Sequence, residues 1–412
     1  MIVYSALSTF YFLLSFGAQS PPSDSLPQKV IDDIAEVRKH SVKGEKALLS
    51  GNKQEAEKEF AAAFEELSKL HREFSERPEL NEFLQGMQAT FEQLQRVHDM
   101  AILVTPPGKT SPPTVAEEFG KVDLYSHSIE ISPELAGRIQ ENLESARYDL
   151  RVTLNEDVLS AIDFFLKNRN GRKLMKIGLE RIGLYEEEIR RILREAGLPT
   201  DLVYLAQLES NFFPNAVSSA KAVGLWQFVA ETGIRYGLKV DWWVDERNDP
   251  YKSTHAATRY LKFLHEQFND WYLVMASYNT GEGRILPLVR RGLQDFWTIS
   301  EQRLIARETR EFVPLILAIA IIGKKPGEFG FDVEAAEPEP FETLVLERPV
   351  SLKVMVRRAG LDLETLRRLN PELKQDVTPQ YSRSYPLRLP QGTLAAVTHR
   401  LSSLSPRQRM GN

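Results

Sequence analysis

Between residues 150 and 325, apolar side chains recur at the spacing of helices and strand-like alternation is nearly absent. Helical signals cover Asn155–Asn168, IGLYEEEIRRILREAG (182–197), Thr200–Asn211, Ser253–Phe268, Trp271–Tyr278 and Thr309–Ile322. Gly197-Leu198-Pro199-Thr200 ends one helix and opens the next, since glycine readily takes the left-handed conformation that closes a helix. Such a pattern implies an all-α body. One position breaks it. In LAQLESNF (205–212), Leu202, Leu205 and Ala206 lie on one helical stripe, and the next position of that stripe is Glu209. A carboxylate there is either paired with an Arg or Lys or kept neutral for chemistry, and the local pattern leaves both readings open.

The flanks read differently. MIVYSALSTFYFLLSFGAQSPPSDS carries no charged side chain before Asp24. Its apolar run followed by Gly17, Ala18 and Ser20 resembles a secretory signal peptide over residues 1–20, although no Lys or Arg precedes the run. Left uncleaved, the same run suits a short membrane anchor. Export is the expectation.

Residues 28–104 read as polar helix. GEKALLSGNKQEAEKEFAAAFEEL (Gly44–Leu67) suggests a helical hairpin turning at Gly51-Asn52 and packed through Ala47, Leu48, Ala56, Phe60 and Ala63. It resembles one tetratricopeptide unit, but such units need stacked neighbours and no second copy follows. A helical stalk or small bundle, suited to docking a protein partner, is expected. TPPGKTSPPT opens a linker and connecting segment over 105–149. Its Gly108-Lys109-Thr110 is no phosphate loop, because Leu103 stands where that motif needs its first glycine.

After Lys324 comes a Pro-, Gly- and Glu-rich linker over 326–340, then TLVLERPVSLKVMVRRAGLDLETLRRLNPEL and SYPLRLP. These suggest strand, two short helices and strand over 341–395. Leu363–Pro371 and Tyr385–Pro390 make this part look like a diverged LysM module, a small α+β fold that binds N-acetylated glycans. A purely structural extension is the other reading.

Composition narrows the function. A net charge of −5 lacks the basic footprint of a general nucleic-acid binder. The chain has no cysteine, which removes disulfides, thiolate catalysis and cysteine-bound zinc. The seven histidines show no ligand spacing, and His265-Glu266 lacks a second histidine four residues on. No metal and no cofactor are expected.

Three pieces after Glu209 mix aromatic, small and amide residues: AVSSAKAVGLWQF (216–228), DWWVDERNDPYKST (241–254) and ASYNTGEGR (276–284). Flat rings stack on sugars while amides and phenols hydrogen-bond them, so the mixture suits a carbohydrate groove. Trp226 with Gln227, and Tyr278 with Asn279, are expected beside Glu209. Cleaving a glycosidic bond needs an acid still protonated near neutral pH, and a desolvated carboxyl supplies one.

LPTDLVYLAQLESNFFPNAVSSAKAVGLWQF, WWVDERNDP, SYNTGEGR and ETREFVP, in this order and spacing, resemble the lytic transglycosylase family that cleaves bacterial peptidoglycan. The likeness is greatest to the membrane-bound lytic murein transglycosylase D branch, which also carries LysM modules. It implies a mainly α chain: a lysozyme-like helical catalytic domain over 150–325, with the helical region before it and the LysM-like module after it. It places the catalytic glutamate on Glu209, and substrate-binding residues on Ser218, Gly224, Trp226, Gln227, Tyr278 and Asn279. Thr280 stands where alanine is usual, and Glu282 matches an acidic groove position. The reaction so implied cuts between N-acetylmuramic acid and N-acetylglucosamine, leaves 1,6-anhydromuramoyl ends and uses one carboxylate without metal or cofactor. Peptidoglycan glycan strands become the expected partner, and the periplasm or cell envelope the expected compartment.

Two other readings stand beside it. One is a non-catalytic peptidoglycan-binding scaffold on the same fold. The other is a hydrolase of goose-type lysozyme character, with a second carboxylate drawn from Asp245, Glu246 or Asp249. That acidic loop reads more simply as stapled by its own Arg247.

Overall fold

A helix that is apolar on every side belongs at the centre of a fold, and Arg307–Lys324 is such a helix. Every residue from Phe312 to Ile322 in it is buried. The computed structural model describes residues 28–49, separate positions between 55 and 70, 131–379, 384–405 and 408–409. The signal segment at 1–20, the Gly51-Asn52 turn, residues 71–104 and the Pro-rich segment 105–114 lie outside the described residues.

The chain forms two units, residues 1–107 and 108–412. In the first, α1 (Gln28–Leu49) and helical positions between Glu55 and Leu70 bury Val30, Val37, Ala63 and Leu70. A 2.6 Å contact between His40 Nδ1 and Glu59 Oε2 joins the two stretches.

The second unit begins in the expected connecting segment, which is not all linker. Ser132 caps α2 (Pro133–Ser145), and Leu135 and Ile139 of this helix enter the core. Then follow α3 (Glu156–Lys167), α4 (Arg169–Ile182), α5 (Glu186–Glu195) and α6 (Val203–Ser210). Next come α7 (Ala230–Arg235), α8 (Pro250–Phe268), α9 (Trp271–Thr280), α10 (Glu282–Arg290), α11 (Phe296–Glu301) and the central α12 (Arg307–Lys324). Helices α2, α3, α6 and α9 all pack on α12. The side-chain oxygens of Asn155, Asp249, Asp270 and Asp295 accept from first-turn amides and fix the starts of α3, α8, α9 and α11. Gly197, at φ +70°, ends α5 as the sequence implies.

The segment 326–340 is packed down rather than free. Phe329 and Phe331 are buried, and Ala336 N–H donates to Glu180 O at 2.7 Å. Beyond it, β1 (Phe341–Leu346) and β2 (Tyr385–Pro390) pair antiparallel, with Phe341 opposite Pro390. Between them lie α13 (Leu352–Ala359) and α14 (Leu363–Leu369). The module continues past 395, because α15 (Leu394–Ser402) buries Val397 and Leu401.

The start of α6 is pinned by buried charge. Asp201 is fully buried, and its carboxylate receives Lys324 Nζ at 2.5 Å, Arg190 Nη1 at 3.4 Å and Asp149 N–H at 2.9 Å. Asp149 returns the favour to the amides of Thr200 and Asp201, at 2.6 and 2.9 Å. Removing Asp201 leaves the mostly buried Lys324 and Arg190 charges without their carboxylate partner. Asp201→Ala is expected to lower stability by about 3–5 kcal/mol, read from urea unfolding of the purified chain.

Candidate active site

Helix α6 is buried along its whole length except at one residue. Val203 to Leu208 and Ser210 are buried, and Glu209 alone is partly accessible. The amphipathic stripe inferred from Leu202, Leu205 and Ala206 is therefore a property of a helix that is core on all sides. Glu209 is the point where this central helix meets solvent.

No hydrogen bond or ion pair reaches Glu209 among the described residues, so the paired-carboxylate reading fails. Burial raises its pKa from 4.5 to about 8, with the Glu308 carboxylate adding to the shift. At neutral pH the group is mostly the protonated acid.

The chain turns sharply after Glu209. Ser210 Oγ donates to Leu225 O at 2.9 Å, tying α6 to the loop that carries Trp226 and Gln227. Asn211 and Phe212 both have positive φ, at 48° and 58°, which is costly for non-glycine residues. Arg181 holds this turn: its guanidinium donates to Asn211 O at 3.2 Å and Phe212 O at 2.8 Å, and lies 3.9 Å over the Phe213 ring.

Loop 216–228 folds back on itself through Val217–Val223 and Val223–Phe228 bridges. Ser218 sits at its turn, where its Oγ accepts from Ala222 N–H at 3.1 Å. Gly224 has φ +86°, and a Cβ there would fall 1.8 Å from Arg247 O. Its role is to let two loops touch rather than to meet a ligand. Gln227 donates Nε2 to Gly224 O at 2.8 Å and Ala216 O at 3.3 Å, leaving Oε1 without a partner among the described residues.

Trp226 corrects the sequence reading. Its ring is fully buried and its indole N–H donates to Thr254 Oγ1 at 2.8 Å, so it cannot stack on a sugar. Its backbone does reach the site, because Tyr278 OH donates to Trp226 O at 2.7 Å. Burial and the nearby Glu209 push the Tyr278 pKa well up, so the phenol stays protonated. It makes no hydrogen bond to Glu209 itself.

Asn279 faces α12. Its Oδ1 accepts from Thr309 Oγ1 at 2.8 Å, and Nδ2 lies 3.5 Å from Glu308 Oε1. Glu282 accepts from Tyr260 OH at 3.2 Å, with Arg235 Nη1 at 3.7 Å. Tyr260 lies 5.2 Å from the Tyr278 ring and 4.9 Å from that of Tyr236, so phenol rings run from Tyr278 toward Glu282.

The acidic loop is fully engaged. Arg247 forks onto Asp245 at 2.9 and 2.7 Å and donates to Phe228 O at 3.1 Å. Glu246 pairs with Lys252 at 2.8 Å, and Asp249 caps α8 while contacting Arg388 at 2.6 Å. None of the three is free to serve as a second catalytic carboxylate.

Glu308, Tyr260, Tyr236 and Arg181 were given no role by the sequence. Glu308 was visible within ETREFVP, but a glutamate in a first helical turn looks like ordinary dipole complementation. Only the fold shows that its charge reaches Glu209.

With this geometry in place, the comparisons with known proteins show what the chain is similar to. Residues 189–291 match the family model described as Transglycosylase SLT domain. Residues 340–406 match the model described as Lytic transglycosylase MltD, LysM-like domain. The resemblance to lytic transglycosylases of the D type, with a C-terminal LysM-like module, is borne out. Membrane-bound lytic murein transglycosylase D of Escherichia coli (strain K12) is 33% identical over 200 residues, covering 46% of this chain and 43% of that protein. Membrane-bound lytic murein transglycosylase C of Haemophilus ducreyi is 26% identical over 196 residues, 40% of this chain and 53% of its own. The chain thus spans about half the length of these relatives or less. The crystal structure of the 70 kDa soluble lytic transglycosylase of Escherichia coli aligns with 72% of this chain and 54% of its own, at 18% identity and a TM-score of 0.32.

Two outcomes test the site. Between pH 4.5 and about 8 the folded chain holds a proton on Glu209 that the unfolded chain has lost, so stability falls as pH rises through that window. Glu209→Gln is expected to match the parent near pH 4 and to exceed it at pH 8.5, by at most about 3–5 kcal/mol in urea unfolding. Gly224→Ala forces a side chain into Arg247 O at an unfavourable φ. It should lower the thermal midpoint and destabilise the chain by roughly 2–4 kcal/mol.

Proposed function

We propose that this chain is a peptidoglycan lytic transglycosylase, cleaving the β-1,4 bond between N-acetylmuramic acid and N-acetylglucosamine to leave 1,6-anhydromuramoyl ends. The observation that carries this reading is an unpaired Glu209, neutral near pH 7, at the accessible point of a buried helix within the matched domain. A neutral carboxyl of this kind donates a proton to the bridging oxygen and then, as carboxylate, takes one back.

In the first step Glu209 protonates the leaving glycosidic oxygen as the C1–O bond breaks. The substrate's own acetamido oxygen stabilises C1. Glu209 then accepts the proton of the muramoyl O6 hydroxyl, whose oxygen bonds C1 and closes the anhydro ring. Water is not consumed, which is why a second carboxylate is unnecessary. Tyr278, anchored on Trp226 O, offers its remaining lone pair and ring beside the acid. Gln227, whose Oε1 is buried, braces the loop beside the acid through Nε2 on the Gly224 and Ala216 carbonyls, and Ser218 offers its hydroxyl. Asn279 and Glu282 act through Glu308 and the Tyr260 phenol, shaping the groove on either side.

One observation favours a hydrolytic second reading. Glu308 is exposed, and its charge acts on Glu209, so it is the carboxylate through which water could be activated. A non-catalytic scaffold is less well supported, because nothing neutralises or replaces Glu209.

Export is part of the proposal. The D- and C-type relatives are described as membrane-bound, and the apolar N-terminal run fits a signal peptide or anchor. Among the described residues no helix is long and apolar enough to cross a membrane. The LysM-like module would meet glycan strands, and the N-terminal helices would dock a protein partner.

The test is digestion of purified peptidoglycan by residues 19–412, with products identified by mass spectrometry. The transglycosylase reading expects anhydro-muropeptides, lost by at least a hundredfold in Glu209→Gln and retained in Glu308→Gln. Activity should decline as pH rises past about 8, because the acid form of Glu209 is then lost. Reducing-end products that depend on Glu308 would establish the hydrolase instead.

A further inference from the structure

The LysM-like module is fastened to the catalytic body by buried charge and by backbone pairing. Asp249, fully buried at the start of α8, contacts Arg388 Nη2 of β2 at 2.6 Å. Arg388 also lies 3.9 Å from the buried Glu372 carboxylate, which accepts from Tyr385 OH at 2.7 Å and has Lys252 Nζ at 4.0 Å. The Arg388 guanidinium stacks 4.8 Å over Tyr251 and 5.5 Å over Phe341, one ring from each side of the junction. Backbone bonds add to this. Asp245 N–H donates to Glu372 O at 2.8 Å and Lys374 N–H to Trp243 O at 2.9 Å. Gln375 Nε2 donates to Trp242 O at 3.0 Å.

These contacts land on loop 241–249 and, through Tyr251 and Lys252, on the first turn of α8. That loop is also the one pressed against the site. Arg247 O fills the space beside Gly224, and the Arg247 guanidinium donates to Phe228 O at 3.1 Å and Lys221 O at 3.4 Å. Loop 221–228 in turn receives Ser210 Oγ on Leu225 O and Tyr278 OH on Trp226 O. A continuous series of packed and hydrogen-bonded groups therefore runs from β2 to the residues flanking Glu209.

We propose that the C-terminal module is a positioning part of the catalytic apparatus, with Arg388 and Asp249 as the pin that holds loop 241–249 against the Gly224–Gln227 loop. It is not a glycan hook on a free tether. The face bearing Tyr385, Glu372 and Arg388 is spent on this junction and is closed to sugar. Arg388 and Asp249 are positioning residues, acting on Glu209 and Tyr278 only through the two loops. The kinetic consequence rests on the transglycosylase reading; the structural consequence does not.

The test uses the full chain with Arg388→Met, Arg388→Lys and the double variant Asp249→Asn/Arg388→Met. The double variant removes both charges while asparagine can still cap α8, so it guards against misfolding from a stranded carboxylate. Hydrogen exchange without substrate is read on peptides covering 216–230, and turnover on purified peptidoglycan is read for kcat and KM. Arg388→Met and the double variant should speed exchange at the Gly224 and Phe228 amides at least tenfold. They should lower kcat about tenfold with KM little changed, and Arg388→Lys should restore much of both. Parent-like exchange over 216–230 in folded Arg388→Met and double variants, with faster exchange confined to the module, would overturn the proposal. If the parent enzyme itself yields no anhydro product, the transglycosylase reading fails while the exchange result still decides this one.

Discussion

A carboxyl group set into the side of a fully buried helix, with no cation to meet it, is the constraint on which the rest of this structure depends. Desolvation makes its anion unfavourable, so the fold must be strong enough elsewhere to hold the group in place. That strength is visible at both ends of α6. Asp201, Lys324, Arg190 and Asp149 fix the start, and Arg181 holds two left-handed residues at the end. Between them the helix is held so that Glu209 stays partly buried and meets no basic side chain. The cost of a neutral acid is thus carried by buried polar networks that never touch a substrate.

The same economy of roles shapes the surrounding loops. Gly224 and Trp226 belong to a sugar-groove motif by sequence, yet one makes room for Arg247 and the other fills the core against Thr254. What they deliver to the site is a carbonyl, Trp226 O, and a fixed track for Gln227. Arg247 spends its charge inside this loop system, forked on Asp245 and donating to Phe228 O. The loop it stabilises also contacts the C-terminal module, so the two parts of residues 108–412 meet on the loop that braces the one beside Glu209.

Much of this was legible in the sequence. Helical periodicity marked the main helices, and Gly197 marked the end of α5, because core-facing spacing and a left-handed cap are local signals. The strand, helix, helix, strand order of the module followed from equally local patterns. The oddness of Glu209 was visible as well, although its reason was not: an apolar stripe and an apolar cylinder look alike over eight residues. Trp226 was misplaced because an indole serves core and sugar groove equally well, and sequence cannot say which way a loop turns it. Helix α2 was hidden within an expected connecting segment, where a polar helix with two core contacts differs little from linker. Glu308 and Arg388 were beyond reach, since their significance comes from partners 99 and 139 positions away, Glu209 and Asp249 respectively.

The central claim is that Glu209 is an unpaired acid kept protonated by its burial. The most direct measurement is a carboxyl-carbon NMR titration of the chain labelled at glutamate, with Glu209→Gln identifying the resonance. The structure predicts a Glu209 resonance that titrates near pH 8 and disappears in the variant. A Glu209 resonance titrating in the ordinary range, between about pH 4 and 5, would contradict it and remove the basis for proton donation at neutral pH.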